Sequence, residues 1–171
     1  MFTLRLPLIG ASLLACTLLT TACGSKNSTD PQPQSLYVRM GNSTGIEGVA
    51  DQMVANVGAE TGQPNSVMLR SHKPMLDAIT SQNGQAATDP TRLQRLRNNV
   101  VDQFTDITGG PIKYKGKSML VAHTGMAVTA GEYAAWRVLL DQALTSKNIG
   151  TKEKAEFTAL IDAMRSDVVN H

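Results

Sequence analysis

The apolar positions of the chain recur at steps of three and four residues in four separate segments. The first segment runs from Ile46 to Val57 and ends near Gly58, the second occupies residues 91–107, the third begins at Thr129 and the fourth at Thr151. Such steps place apolar side chains on one face of an α-helix. No segment alternates apolar and polar residues over the length needed for a sheet. The pattern therefore predicts an all-α protein.

Local signals mark the starts of several of these helices. Thr129 followed three residues later by Glu132 has the spacing of a capping box, and Asp89-Pro90 predicts a cap and a first-turn proline for the second helix. A short element begins at Ser35 and is broken at Met40-Gly41-Asn42-Ser43. The last helix is expected to carry on one face Phe157, Leu160, Ile161, Met164 and Val168.

The segment 59–90 has a different composition from the helices on either side. It contains glycine, proline, asparagine, glutamine and serine around one modest apolar patch, Met75-Leu76 with Ala78-Ile79. These residues favour turns and irregular structure. We therefore predict an atypically long loop here, and such loops are usually functional or disordered.

The N-terminus indicates export. Arg5 is followed by an apolar run from Leu6 to Leu19 and by small residues up to Ala22, which is the pattern of a secretory signal and too short for a membrane span. Cys23 directly after Ala22 resembles the lipobox of bacterial lipoproteins, in which that cysteine is acylated. Cys16 is a second candidate, but cleavage there would leave almost no apolar core in the signal.

These features divide the chain into residues 1–22 as a lipoprotein signal peptide, 23–34 as a flexible tether and 35–171 as the folded domain. Cys23 would be the one cysteine left after cleavage, so no intramolecular disulfide is available. Removal of Arg5 with the signal lowers the net charge from +2 to +1, which is not the charge of a nucleic-acid-binding domain. The expected location is the bacterial envelope, and Gly24 resembles the outer-membrane sorting pattern where two membranes exist.

The most informative stretch of the chain lies between residues 104 and 128. An apolar helix ends at Gly109-Gly110-Pro111, Lys113-Tyr114-x-Gly116 follows, and Ser118-Met119 precedes His123-x-Gly125-Met126. This order, together with Ser-Leu-Tyr at 35–37 and Ser166-Asp167-Val168-Val169, resembles the group I truncated haemoglobins. The resemblance implies a two-over-two helical sandwich that binds haem, with His123 as the proximal ligand of the iron.

The resemblance also implies roles for other residues. Tyr114 matches a tyrosine that reaches a haem propionate, Met119 a residue that packs on the porphyrin, and Phe104 a distal-helix aromatic. The implied haem-contacting set is completed on the proximal side by Val128, Tyr133 and Trp136, and on the distal side by Val54, Val100 and Leu96. For the apolar and aromatic members, simple core packing is an equally good interpretation.

The distal side departs from the family. Val54 and Val100 stand where many group I members have a tyrosine and a glutamine, and neither valine can donate a hydrogen bond. The phenylalanine that wedges the haem in the family should lie within 59–90, which has no aromatic residue. We therefore expect faster oxygen loss than in tyrosine-bearing relatives, unless the segment supplies a polar group. His72 is a candidate sixth iron ligand there, although a solvated histidine is the simpler interpretation, and His171 is terminal.

Two functions of different class follow from these residues. The first is a lipid-anchored haem protein that binds oxygen, nitric oxide or carbon monoxide, with a possible electron donor as partner, and more a ligand-binding protein than a dedicated enzyme. The second is a globin-derived lipoprotein that has lost haem and serves as a binding or structural module, as the absent wedge phenylalanine would allow. A metalloenzyme without porphyrin would need a second convincing ligand.

Overall fold

The computed structural model describes residues 33–171, and this part of the chain contains seven α-helices and no strand. The predicted all-α class is therefore confirmed. The helices are, in chain order, α1 Leu36–Arg39, α2 Asn42–Thr61, α3 Leu69–Ile79, α4 Arg92–Ile107, α5 Met119–His123, α6 Ala130–Ser146 and α7 Thr151–Asp162, followed by a 3-10 helix at Arg165–Asp167. The predicted signal peptide, Cys23 and most of the predicted tether lie outside the described residues. No described helix combines the length and apolar character of a membrane span.

Helix α2 is the central element, packing against both α4 and α6. The core that it shares with its neighbours consists of Ile46, Val49, Ala50 and Met53 on α2, Leu36 and Met40 beside α1, Phe104 on α4, Leu140, Ala143 and Leu144 on α6, and Phe157 and Ile161 on α7. The rings of Phe104 and Phe157 meet edge to face with centroids 4.9 Å apart. This contact joins α4 to α7 through the middle of the core.

The turn between α1 and α2 requires glycine. Gly41 has φ +94°, and Asn42 also has a positive φ of 59°. At Gly45 a Cβ atom would lie 1.7 Å from the carbonyl oxygen of Met40, so no larger residue fits there. The predicted break after Met40 is thus confirmed, and it lets α1 fold back onto the start of α2.

Several predicted boundaries were wrong. Helix α2 continues through Gly58 to Thr61, because a single interior glycine costs only about 1 kcal/mol and does not break the backbone hydrogen bonds. Helix α4 is preceded by Thr91 rather than capped by Asp89, whose carboxylate instead binds Arg95. The last helix ends at Asp162, so Met164 and Val168 lie beyond it. Leu160 lies within this helix but is 37 % exposed, so it is not part of the buried face.

The largest difference concerns 59–90, where the structure has an eleven-residue helix, α3, within the segment predicted to be a loop. Pro74 lies inside this helix and polar residues surround it, which is why the local signals indicated a loop. A residue of the preceding helix stabilises the start of α3. The Glu60 carboxylate at the end of α2 accepts hydrogen bonds from the Val67 backbone at 2.7 Å and from the Ser66 hydroxyl at 2.7 Å. Ser66 Oγ in turn accepts from the Leu69 backbone at 2.9 Å.

The edge-to-face contact leads to a prediction about stability. Phe157 is fully buried against Phe104, so Phe157→Ala removes a large apolar volume that its neighbours cannot refill. We expect the free energy of unfolding to fall by about 3–5 kcal/mol. Urea denaturation of the variant measures this, with Leu160→Ala on the same helix as the control. A similar loss in both variants would contradict the assignment of the core.

Candidate functional site

A cavity of about 670 Å³ lies among α2, α3, α4, α5 and the start of α6. This volume falls within the roughly 300–1,000 Å³ typical of sites for cofactors and small molecules. The structure brings every haem-contacting residue expected from the sequence to this one cavity, namely Val54, Leu96, Val100, Phe104, Tyr114, Met119, His123, Val128, Tyr133 and Trp136. Residues separated by up to 82 positions in the chain therefore line a common space.

The imidazole of His123 is held by the backbone of its own helix. Its Nδ1 atom lies 2.7 Å from the carbonyl oxygen of Met119, one turn earlier. A carbonyl can only accept, so Nδ1 donates, and in the neutral form of the ring Nε2 is then the nitrogen with the lone pair. Helix α5 begins at Ser118, whose hydroxyl accepts from the Val121 backbone at 3.3 Å. One ring nitrogen of His123 is thus held by a backbone acceptor, as is usual for a metal-ligating histidine.

Tyr114 lines the cavity, but its hydroxyl is used within the loop before α5. It donates to the carbonyl oxygen of Lys117 at 2.9 Å, and the Tyr114 backbone donates to Asp106 at 3.1 Å. A Cβ at Gly116 would lie 2.2 Å from the Tyr114 hydroxyl, so glycine is required beside the ring. The sequence resemblance implies that Tyr114 binds a haem propionate. To do so, its hydroxyl would have to release the carbonyl oxygen of Lys117.

Helix α3 supplies the wall that sequence reasoning missed. Ser71, His72, Met75 and Ile79 on α3, together with Met68 just before it, line the cavity. Their spacing of three and four was the available signal, but Pro74 and the polar surroundings masked it. Six of the eight methionines line the cavity, namely Met53, Met68, Met75, Met119, Met126 and Met164. Unbranched, polarisable side chains of this kind fill irregular apolar space.

A buried carboxylate closes the cavity where α6 begins. Glu132 is 4 % exposed, and its Oε2 accepts from the Thr129 backbone at 2.8 Å, the Thr129 hydroxyl at 2.9 Å and Arg70 at 2.5 Å. The Thr129 hydroxyl accepts from the Glu132 backbone in return, which confirms the predicted capping box. The other oxygen, Oε1, is buried and has no hydrogen-bond partner among the described residues. Glu132 therefore presents an unsatisfied acceptor at the cavity wall.

The charge state of Glu132 follows from these bonds. Burial by itself raises the pKa, but the bonds from the Thr129 backbone, from Arg70 and from the Thr129 hydroxyl outweigh it and lower the pKa from 4.5 to about 2. Glu132 is therefore an anion at neutral pH. Among residues 33–171 no three His, Cys, Asp or Glu side chains are grouped so as to hold a metal by themselves. The site offers instead two imidazoles, those of His72 and His123, in a largely apolar cavity.

Comparison with known proteins identifies the family. The model of the bacterial-like globin family matches residues 61–170. The chain belongs to the bacterial-like globin family. Among solved structures, this globin is similar to the truncated haemoglobin of Tetrahymena pyriformis in its Fe(III) form, with 20 % identity, a TM-score of 0.61 and coverage of 81 % of this chain and 100 % of that one.

A single-residue variant of the same ciliate protein gives 18 % identity, a TM-score of 0.58 and the same coverage. At this level of identity the likeness establishes the truncated-globin fold, as the sequence resemblance implied. A comparison with curated proteins found no match.

The lowered pKa of Glu132 leads to a prediction about acid stability. Because the folded pKa lies below the ordinary value, the carboxylate stabilises the fold above pH 4.5, and this contribution is lost as the pH falls toward 2. We expect the loss to be on the order of 3 kcal/mol. Urea denaturation across this pH range should show a weaker acid dependence in Glu132→Gln than in the parent. Parallel curves would show that the carboxylate does not carry this linkage.

Proposed function

We propose that this bacterial-like globin is a group I truncated haemoglobin that binds haem through His123 and takes up a diatomic gas at the iron. The observation that supports this most directly is the position of His123. Its side chain lines the cavity, and its Nδ1–H is engaged by Met119, which leaves Nε2 as the coordinating nitrogen. The family motif Gly-Gly-Pro, Lys-Tyr-x-Gly and Met-x-x-x-His surrounds it.

The cavity has the chemistry that haem requires. Haem is a flat apolar ring with two anionic propionates at one edge. The lining is mostly aliphatic, aromatic and methionine side chains, and Arg92 and Lys117 are the cationic residues at the cavity that would suit the propionates. Bound haem would supply an iron with an open position for oxygen, nitric oxide or carbon monoxide.

The protein residues would set how strongly such a ligand is held. Val54, Val100 and Leu96 line the cavity and have no polar hydrogen to donate. A hydrogen bond to a charged or strongly polar acceptor contributes on the order of 1.5–3 kcal/mol, so its absence would shorten the residence time of oxygen. Polar side chains that line the same cavity include those of His72, Asn99 and Gln103.

We further propose that the globin is exported and attached to the bacterial envelope by lipid on Cys23, in the outer membrane where two membranes exist. The support lies in the sequence, where a short apolar segment ends in Thr20-Thr21-Ala22 before Cys23 and a polar stretch follows it. Two acyl chains on one cysteine suffice for stable attachment without a membrane-spanning helix. An electron donor that reduces the iron would be a partner in the same compartment.

The role of His123 is tested by haem titration. His123→Ala should abolish stoichiometric haem binding, or give a spectrum without a proximal imidazole, because no other group holds the same position on α5. The purified variant is titrated with hemin and compared with His171→Ala, which should bind as the parent does. The stabilisation against urea that haem gives to the parent should be absent from the His123→Ala variant. An unchanged spectrum in the His123 variant would refute His123 as the iron ligand. No haem binding by the parent would favour a globin-derived module without haem.

The anchor is tested by labelling and fractionation. The parent should take up labelled fatty acid and sediment with membranes, because acylation of Cys23 supplies the attachment. Cys23→Ser should remain uncleaved or be released into the soluble fraction without label. Cys16→Ser serves as the matched control and should behave as the parent does. Normal processing and location of the Cys23 variant would disprove lipid attachment at this residue.

A further inference from the structure

The cavity contains a second histidine, His72 on α3, whose environment repeats that of His123. We propose that His72 Nε2 would be a second ligand of the iron that His123 would hold, so that the resting globin would have two imidazole ligands and a gas would have to displace one of them. The inference rests on the proposed haem binding. It assigns to α3 a chemical role in addition to its role as a wall.

The hydrogen bonds of the two imidazoles have the same form. His72 Nδ1 lies 3.0 Å from the carbonyl oxygen of Met68, and His123 Nδ1 lies 2.7 Å from that of Met119. In each case the carbonyl belongs to the residue four positions earlier. Because a carbonyl only accepts, both Nδ1 atoms donate, and in the neutral form of each ring Nε2 holds the lone pair. Both rings are therefore in the tautomer that coordinates a metal through Nε2.

The surroundings of His72 are those of a cavity residue. Its ring is partly buried, and its neighbours on the same face of α3 are Met68, which is 1 % exposed, and Met75. Ser71, which is also buried, bonds to the same Met68 carbonyl at 3.1 Å and lies 3.2 Å from His72 Nδ1. A second contact to Nδ1 of this kind holds the ring plane. The structure thus provides a positioned imidazole rather than a solvated side chain.

Helix α3 is fastened at two places, which limits the freedom of His72. The Glu60 carboxylate binds the chain just before the helix, through Ser66 and Val67. From the helix itself, Arg70 donates to the carbonyl oxygens of Met126 at 3.1 Å and Ala127 at 2.7 Å and pairs with Glu132. These bonds connect α3 to the segment just after His123. A ligand whose backbone is already held loses less entropy when it binds.

An internal ligand changes how the site responds to an external one. A gas competes with His72, so its apparent affinity is reduced by the fraction of protein in which the sixth position is open. If the open form is on the order of a tenth of the population or less, removal of the imidazole raises the apparent affinity about 10-fold or more. The binding rate for carbon monoxide would then be limited by dissociation of His72 instead of by gas concentration.

The experiment uses the purified full chain loaded with hemin. Absorption and electron paramagnetic resonance spectra of the ferric protein should be low-spin in the parent and high-spin in His72→Ala, with one haem bound in each. Added imidazole should restore the low-spin spectrum of the variant. Lys73→Ala is the matched control, since this exposed neighbour on α3 pairs with Asp77 outside the cavity and should leave the spectrum low-spin. His72→Gln, which preserves volume without an imidazole, should repeat the His72→Ala result, with circular dichroism confirming that both are folded.

The outcomes separate this inference from the proposed haem binding. A parent that binds haem through His123 but is high-spin, with the same spectrum as His72→Ala, would refute the second ligand and leave haem binding intact. A low-spin spectrum that survives in His72→Ala and His72→Gln would assign the sixth position to another residue, such as a cavity methionine, and would also refute it. A parent that binds no haem refutes both.

Discussion

The domain has to hold apolar side chains apart around a cavity of about 670 Å³ instead of packing them against one another. Protein interiors are normally close-packed, so this space removes contacts that a small helical domain would otherwise use. The continuous core lies where α1, α2, α4, α6 and α7 meet. Ala50, Met53, Phe104 and Ile161 belong both to this core and to the cavity wall. The part of the cavity wall formed by these four residues therefore packs directly on the hydrophobic core.

On the other side of the cavity, hydrogen bonds and ion pairs hold the lining segments in place. Arg70 joins α3 to the loop before α6 and to Glu132, while Glu60 begins α3 and Asp106 holds the loop at Lys113 and Tyr114. Buried charged groups are costly unless they are paired and hydrogen-bonded. The Oε2 atom of Glu132 meets this condition with three donors, which is why the carboxylate stays ionised.

The two functional proposals depend on different parts of this arrangement. Haem binding depends on α5, where a single turn places His123 against the Met119 carbonyl. The second imidazole ligand depends on α3, which lies in the segment 59–90 that has no aromatic residue. If both hold, the globin has exchanged a distal hydrogen-bond donor for an internal ligand. Gas binding would then be controlled by displacement of an imidazole instead of by a tyrosine.

The sequence by itself determined the features that arise within one helix or one turn. The apolar stripes of α2, α4 and α6, the capping box of Thr129 and Glu132, and the placing of His123 one turn after Met119 all depend on residues three or four apart, so periodicity predicted them. Tertiary structure decided what depends on distant partners. Helix α3 contains Pro74 and is held by partners outside its own length, since Glu60 binds the chain before it and Glu132 pairs with its Arg70. Asp89 likewise binds Arg95 instead of capping α4. His72 could not be placed at the cavity from sequence, because local patterns do not record which carboxylate or carbonyl a long side chain will reach.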